Sequence, residues 1–351
     1  MKLKKIISFL LILVMATGLV SCDEPDEEDK VQYRNTSFAY FDTVSSIIGA
    51  ETSEEKFSEV SNKAMELLGE YHKLYDIYNE YDGIVNLCTI NKLVDGEHQT
   101  LKVDKRIIDM LLYAKEMYNK TNGKMNIAMG SVLSIWHDYR TEGLNNPGSA
   151  KLPPMELLKE AALHTDINNL IIDEENSTVF ISDPKMKLDV GAVAKGYAVE
   201  MVARYLQEMG KTDYAVNVGG NIRTTGVKAS GEKWQAGVES PEGDGSYIAY
   251  IELDNKASVT SGSYQRYYVV GGKRYHHIID SETLMPAEGF LSVSLICENS
   301  ADGDCLSTAL FCMSLEDGMT LVNSLQGVEA LWVTEDGEIH YSNNFKDYCY
   351  K

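Results

Sequence analysis

Leu188-Asp-Val-Gly-Ala-Val-Ala-Lys-Gly-Tyr197 is the densest motif in the chain. A strand is expected to end at Asp189, Gly191 permits a tight turn, and a helix opens near Lys195, so its first free N–H groups and its dipole face whatever lies beyond the strand. Such an end suits an anion, and a pyrophosphate is one. The residue order is neither the GxxxxGK of a Walker A loop followed by Ser or Thr nor GxGxxG, which excludes the two common nucleotide fingerprints. Taken alone, the segment also reads as a strand-to-helix turn with a surface Lys.

Outward from this motif, helical spacing continues over 196–206. Strands are expected at 214–218, 234–239, 247–253 and 292–297, with a helix from about Asp304 to Met313. Upstream, Thr52-Ser-Glu-Glu55 reads as a capping box, and Phe57, Val60, Ala64, Leu67, Leu68, Tyr71 and Leu74 then recur at helical spacing. A second helix is expected from Asp104, with Ile107, Leu111 and Tyr118 on one face and Asn122-Gly123 as its stop. A third, shorter one begins near Pro153-Pro154. Leu170-Ile-Ile-Asp173 and Ser177-Thr-Val-Phe-Ile181 flank a polar turn as a hairpin does. Helices and strands intermix without a βαβ rhythm, so the fold class is α+β. No internal repeat is visible in the sequence.

Three further segments can carry chemistry. Tyr214-Ala-Val-Asn-Val-Gly-Gly-Asn-Ile-Arg223 is an apolar strand broken by paired glycines, which mark close backbone approach to a neighbouring strand or to a ligand. Thr260-Ser-Gly-Ser-Tyr-Gln-Arg266 precedes Arg274-Tyr-His-His-Ile-Ile-Asp280, and a hairpin through Gly271-Gly272 would pair them. Strand alternation then sends His276 and His277 to opposite faces, so one of them can serve a site as general base. In Ser300-Ala-Asp-Gly-Asp-Cys-Leu-Ser-Thr-Ala309, Asp304 and Thr308 are four apart and share a helix face. Their oxygens can share a Mg²⁺, which prefers hard ligands; an N-cap role for Asp302 or Asp304 is the alternative.

The ends and the composition bound the setting. Met1-Lys-Leu-Lys-Lys is a basic leader, an apolar run follows, and Leu19-Val-Ser-Cys22 resembles a bacterial lipobox, in which Cys22 is acylated and the preceding residues are removed. The next stretch, DEPDEEDK, is a solvated tether. The expected division is a signal peptide at 1–21, an acidic tether at 22–35 and one catalytic unit at 36–351. A formal net charge of −21 at pH 7, more negative still once Lys2, Lys4 and Lys5 are removed, argues against nucleic acid as a partner. It suits a divalent cation. Cys88, Cys297, Cys305, Cys312 and Cys349 show no zinc spacing and are odd in number, so they are expected as small core or surface residues.

In this order the motifs DVGAVAKGYA, NVGGNIR, TSGSYQRYY with HIID, and GDCLSTA resemble those of the ApbE family of FAD:protein FMN transferases. The likeness extends upstream to Phe41-Asp-Thr43, Tyr75-Asp-Ile-Tyr-Asn79, Asn91 and Gly123-Lys-Met-Asn-Ile127 leading to Trp136, and so covers nearly the whole body. The resemblance implies a T-fold-like α+β body with a duplicated core, FAD held as substrate between the halves, and Mg²⁺ on its pyrophosphate. It implies Asp304, Thr308 and the Ala192 carbonyl as metal ligands, with Ser307 beside them. Phe41, Tyr78, Ile135, Trp136, His137, Asp189 and Lys195 would contact FAD, and His277 would sit near the transferred phosphate. The implied partner is an acceptor flavoprotein with a Ser/Thr-Gly-Ala-Ser/Thr-like segment, met at the extracytoplasmic face of the membrane. The chain departs from the family pattern at Phe41, where Met is usual, and at Asn126, Ser281 and Gly303.

Overall fold

The computed structural model describes residues 30–94 and 99–350; Cys22, the leader before it and residues 23–29 lie outside them. Two strands, β1 (Val31–Tyr40) and β2 (Thr43–Glu51), lead into helix α1 (Glu54–Tyr75). A block of short elements follows: α2 (Leu87–Val94), β3 (Leu101–Lys102), α3 (Lys105–Lys120), α4 (Gly130–Asn145), α5 (Met155–Ala162), β4 (Leu170–Asp173) and β5 (Thr178–Ile181). Then come α6 (Ala194–Glu208), β6 (Tyr214–Val218), β7 (Asn221–Thr224) and the hairpin β8 (Trp234–Glu239) with β9 (Tyr247–Leu253). Strand β10 (Ala257–Gly262), the hairpin β11 (Tyr267–Val270) with β12 (Lys273–His276), and β13 (Phe290–Cys297) precede α7 (Ser300–Phe311) and α8 (Leu315–Ser324). Strands β14 (Glu329–Thr334) and β15 (Ile339–Tyr341) come last.

Eight strands form one sheet in the order β1-β2-β6-β7-β10-β13-β14-β15, each neighbouring pair antiparallel. With the inserted elements set aside, each half runs β-β-α-α-β-β. The first copy is β1, β2, α1, α6, β6, β7; the second is β10, β13, α7, α8, β14, β15. The expected duplication is therefore present in topology. The copies join where β7 pairs with β10 and α6 packs on α7.

Alternation along β6 sends Tyr214, Val216 and Val218 beneath the helices, into one core with Leu68, Val199, Val202, Leu306 and Leu310. Burying each such side chain contributes about 1.5–3 kcal/mol. The opposite face is covered by the β8–β9 hairpin, whose Trp234, Val238 and Ile251 pack on Ala215, Ile296 and Leu331. A smaller core of Val132, Trp136, Leu158, Tyr268, Ile279 and Leu284 fastens α4 and α5 to the β11–β12 hairpin.

Several boundaries move for local reasons. Strand β1 begins at Val31, so residues 31–35 belong to the sheet rather than to the tether. Helix α1 is capped by Ser53, whose side chain accepts the Lys56 amide, one residue beyond the Thr52 of the expected box. Helix α7 starts at Ser300 with Asn299 as its cap, four residues before the expected start, so neither Asp302 nor Asp304 is the N-cap. Helix α4 is not among the helices that spacing predicts. The five described cysteines are free, four of them buried. Among the described residues no helix is long and apolar enough to cross a membrane.

Candidate active site

The strand expected to end at Asp189 does not form: residues 186–190 belong to no sheet, because the Leu188 amide and carbonyl pair with the Asn91 side chain and the Asp189 amide with the Ile127 carbonyl instead of with a strand. The helix expected to open near Lys195 starts at Ala194, and its N-cap, Val193, has no polar side chain to offer. The cap comes from α7. Asp304 Oδ2 accepts the Gly196 amide at 2.8 Å, and Oδ1 lies 3.2 Å from Lys195 Nζ. Only glycine allows this approach, because a Cβ at Gly196 would fall 2.4 Å from the Ser300 carbonyl oxygen and 2.5 Å from Asp304 Cβ. A buried carboxyl group is thus held at a helix N-terminus, where the dipole favours its charge.

One turn on, Thr308 Oγ1 donates to the Asp304 carbonyl at 3.2 Å and keeps its lone pairs for another partner. Ser307 is fully buried, its hydroxyl between Ser261 Oγ at 2.8 Å and the Asp304 carbonyl at 3.1 Å. Ala192 lies half-buried in the turn just ahead of α6. Asp302, about 200° around the helix from Asp304, is held by the Tyr113 hydroxyl and lies 3.7 Å from Lys120 Nζ. The two aspartates therefore serve different faces of α7.

A second group of residues gathers around Asp189. Its amide donates to the Ile127 carbonyl and its Oδ1 accepts the Gly191 amide, each at 2.8 Å. Burial pushes the Asp189 carboxyl group above the usual range, against the opposing pull of that amide and of the nearby His137, Arg140 and Arg266. Just beyond α1, Asp76 accepts the amides of Tyr78 at 2.7 Å and Asn79 at 3.0 Å, which fixes the loop that presents Tyr78. The Tyr78 ring packs on that of His137 with 5.1 Å between centroids. His137 Nδ1 is 3.2 Å from the Arg140 guanidinium, which can only donate, so Nδ1 accepts. Trp136 is buried with its N–H on the Leu284 carbonyl at 2.9 Å, and Ile135 packs against the same core. Of residues 135–137, His137 alone turns its ring to Tyr78.

Phe41 sits with Asp42 at the tip of the β1–β2 hairpin, at φ of 54° and 51°, between the paired Tyr40 and Thr43. Two left-handed residues make the turn whose twist matches the strands. The Phe41 amide donates to His72 Nδ1 at 3.3 Å, and the two rings meet edge-on at 5.4 Å. Gly219 packs beside this turn: its φ is +58° and a Cβ there would fall 2.6 Å from Thr43 Oγ1. The first of the paired glycines thus serves backbone approach to a neighbouring strand.

The β11–β12 hairpin turns at Gly271-Gly272 as expected, although residues 260–262 belong to β10 of the large sheet rather than to β11. Strand β12 ends at His276, so His277 lies in the bend beyond it and strand alternation does not set its direction; the two histidines nevertheless differ in every contact. His276 Nε2 donates to the Ala287 carbonyl at 2.8 Å, Nδ1 accepts the Ile278 amide at 3.2 Å, and the ring rests edge-on against Phe311. His277 Nδ1 is buried with no hydrogen-bond partner. Burial first, then Arg266 and Arg140, pushes its imidazole down to about 3, so it is neutral at physiological pH. Spacing arguments miss Arg140, although three residues after His137 it shares a helix face with that ring.

The ApbE family model matches residues 41–332. This chain belongs to the ApbE family. Among curated relatives it is similar to the FAD:protein FMN transferase of Treponema pallidum (strain Nichols), 31% identical over 260 residues and covering 70% of each chain. The FAD:protein FMN transferase of Klebsiella pneumoniae (strain 342) is 29% identical over 281 residues, covering 77% of this chain and 84% of its own. Among solved structures, the ApbE protein of Thermotoga maritima aligns with a TM-score of 0.79 at 28% identity, over 92% of this chain and all of its own. The flavin transferase ApbE from Vibrio cholerae has the same fold, with a TM-score of 0.73 at 24% identity over 91% of this chain and 100% of its own.

In this ApbE chain the separate motifs meet in space. DVGAVAKGYA and GDCLSTA meet at Gly196 and Asp304, TSGSYQRYY reaches α7 through Ser261, and HIID supplies His277. NVGGNIR contributes Arg223, which is buried against Glu200 of α6 at 3.0 Å and holds the helix to the sheet.

Proposed function

We propose that this chain is an FAD:protein FMN transferase, which moves the FMN half of FAD to a Thr or Ser hydroxyl of an acceptor protein and releases AMP. The carrying observation is the junction of Asp304, Lys195 and the α6 N-terminus in a chain matched by the ApbE model. The donor set fits Mg²⁺: one carboxylate, the Thr308 hydroxyl and the Ala192 carbonyl are hard oxygens, too few for an all-protein cage and suited to an ion shared with substrate phosphates. When bound there, Mg²⁺ would neutralise charge on the pyrophosphate oxygens. Ser307, buried and paired with Ser261, would support Thr308 from behind.

The chain's own groups account for the remaining work. Tyr78 and His137 offer a pair of rings for a flat ligand, Asp189 lies near them, Phe41 would add a contact from the β1–β2 turn, and Lys195 would offset phosphate charge. His277 Nδ1 accepts the proton of the attacking hydroxyl. A bond forms between that oxygen and the FMN-side phosphorus, the bond from this phosphorus to the bridging oxygen breaks, and AMP takes the electron pair. The acceptor is read as an extracytoplasmic flavoprotein with a Ser/Thr-Gly-Ala-Ser/Thr-like segment, and the enzyme as held at that membrane face by lipid on Cys22. Fatty-acid labelling that marks wild type and Cys22→Ala equally would remove the anchor.

The test of function is incubation with FAD, Mg²⁺ and an acceptor, followed by intact mass. A gain equal to FMN minus water supports transfer; free FMN and AMP with an unlabelled acceptor would make the chain an FAD pyrophosphatase instead. Asp304→Ala should abolish the gain, while Asp302→Asn, on the other face of α7, should leave it nearly intact.

A further inference from the structure

We propose that Arg140 and Arg266 form a guanidinium pair that grips a phosphate of the substrate beside His277. The inference rests on the flavin-transfer reading of this site. The hairpin supplies the first half of the geometry: Tyr267 pairs with His276 at the open end of β11 and β12, and Arg266 and His277 are the next residues beyond that last pair, near enough for the guanidinium to act on the imidazole. Helix α4 packs on β11 and brings Arg140, one of whose N–H groups goes to His137 Nδ1 at 3.2 Å. That leaves four donors of the planar fork for another partner.

Neither guanidinium is within ion-pair distance of a carboxylate among the described residues. The nearby acid, Asp189, already accepts the Gly191 amide, and burial favours its neutral form. Burial also works against the charge on Arg140, and Arg266 adds like-charge repulsion. Arg140 is half-buried and Arg266 stands exposed beside it; a half-buried cation with a like charge next to it and no counter-charge is costly unless an anion arrives, and a phosphate presents paired oxygens that fit a guanidinium fork. The surrounding protein carries a formal net charge of −21, so a local cationic pair is also what lets an anionic substrate approach. Its arrival would offset the share of the depression that the two guanidiniums add to burial and so raise the proton affinity of the imidazole, and the base strengthens once substrate is in place.

The experiment compares binding of FAD, FMN and riboflavin to the full chain in the presence of Mg²⁺, because riboflavin lacks phosphate. Arg140→Gln and Arg266→Gln should each weaken FAD and FMN by roughly 10- to 100-fold, the loss of a charge-assisted hydrogen bond, and leave riboflavin unchanged. Arg140→Lys and Arg266→Lys, which keep the charge but lose the fork, should fall between and carry the test if a Gln variant fails to fold. Imidazole NMR of the free protein should show the His277 proton affinity rising in both Gln variants. Equal losses for riboflavin and FMN would make the pair a structural support and overturn the proposal, as would unchanged FAD affinity. Failure of wild type to bind FAD would sink the flavin-transfer reading itself, before any variant is made.

Discussion

Two clusters of charge in this protein are built on opposite terms. At Glu200 the charges close on one another: Oε1 takes Arg204 Nε at 3.0 Å, and Oε2 takes Arg223 Nε and the Ser300 amide, each at 3.0 Å. Arg223 extends the network to Asn255 Oδ1 at 3.0 Å and to the Thr224 carbonyl. At His277 the charges stay open, with Nδ1 unpartnered and two guanidiniums without a carboxylate in ion-pair reach. A closed network fixes α6, β7 and the start of α7 to one another; an open one keeps its donors and acceptors for something that binds. Both clusters draw on motifs of equal prominence in the sequence, so prominence does not separate the two roles, whereas hydrogen-bond closure does.

The largest effect expected from this contrast is on rate. His277→Ala should slow transfer about 10²–10⁴-fold at saturating FAD and acceptor, the usual cost of removing a general base, with FAD affinity nearly unchanged. His276→Ala should do the reverse, since its ring joins Ala287 to Ile278 and supports Phe311: lower stability, near-normal rate per folded molecule. If His276→Ala proves the slower enzyme, the assignment of open and closed histidines is inverted.

Next in size is the closed cluster itself. Glu200→Ala strands the buried Arg223 and should cost about 3–5 kcal/mol in urea unfolding, with turnover per folded molecule retained. A loss below about 1 kcal/mol would show that Arg223 finds other partners and that closure at Glu200 is not what holds the helices in place.

What could be read in advance followed from how local each determinant is. The apolar stripe of α1, the Asp104 cap of α3 and the Gly271-Gly272 hairpin are decided within a few residues, and each appears where the sequence predicts an element. Strand β1 escapes detection because it is a sheet edge whose Gln32, Arg34, Asn35 and Thr36 dilute the alternation. Helix α4 escapes because its faces are divided between a core, at Trp136, and the site, at His137 and Arg140, which blurs a single apolar stripe. The contact of Asp304 with Lys195 and Gly196 is invisible to spacing, since these lie 109 and 108 residues away; spacing joins Asp304 only to Thr308, and the family resemblance adds Ala192. The duplication is hidden because the insertions interrupt the two copies at different points, one between its helices and the other between its first two strands.

The smallest effect concerns pH, and its sign follows from the open cluster. His277 and His276 are both held below the ordinary histidine value, chiefly by burial, His277 to about 3. For a base depressed in the folded state, the unfolded chain binds more protons once pH falls below about 6.5, so stability is complete above that value and is lost as pH drops toward the folded-state value. One such group imposes a slope of at most about 1.4 kcal/mol per pH unit. Asp189 works in the opposite sense, because burial raises its carboxyl group and the folded state then holds the proton more readily, but it is present in both proteins, so a comparison of the two between pH 7 and pH 5 isolates His277. Urea unfolding across that interval should show wild type losing stability on acidification and His277→Leu losing less per pH unit. Parallel slopes for the two proteins would mean that the folded state accommodates a charged His277 despite its two guanidinium neighbours, and the cluster would then have to be closed by a partner other than substrate.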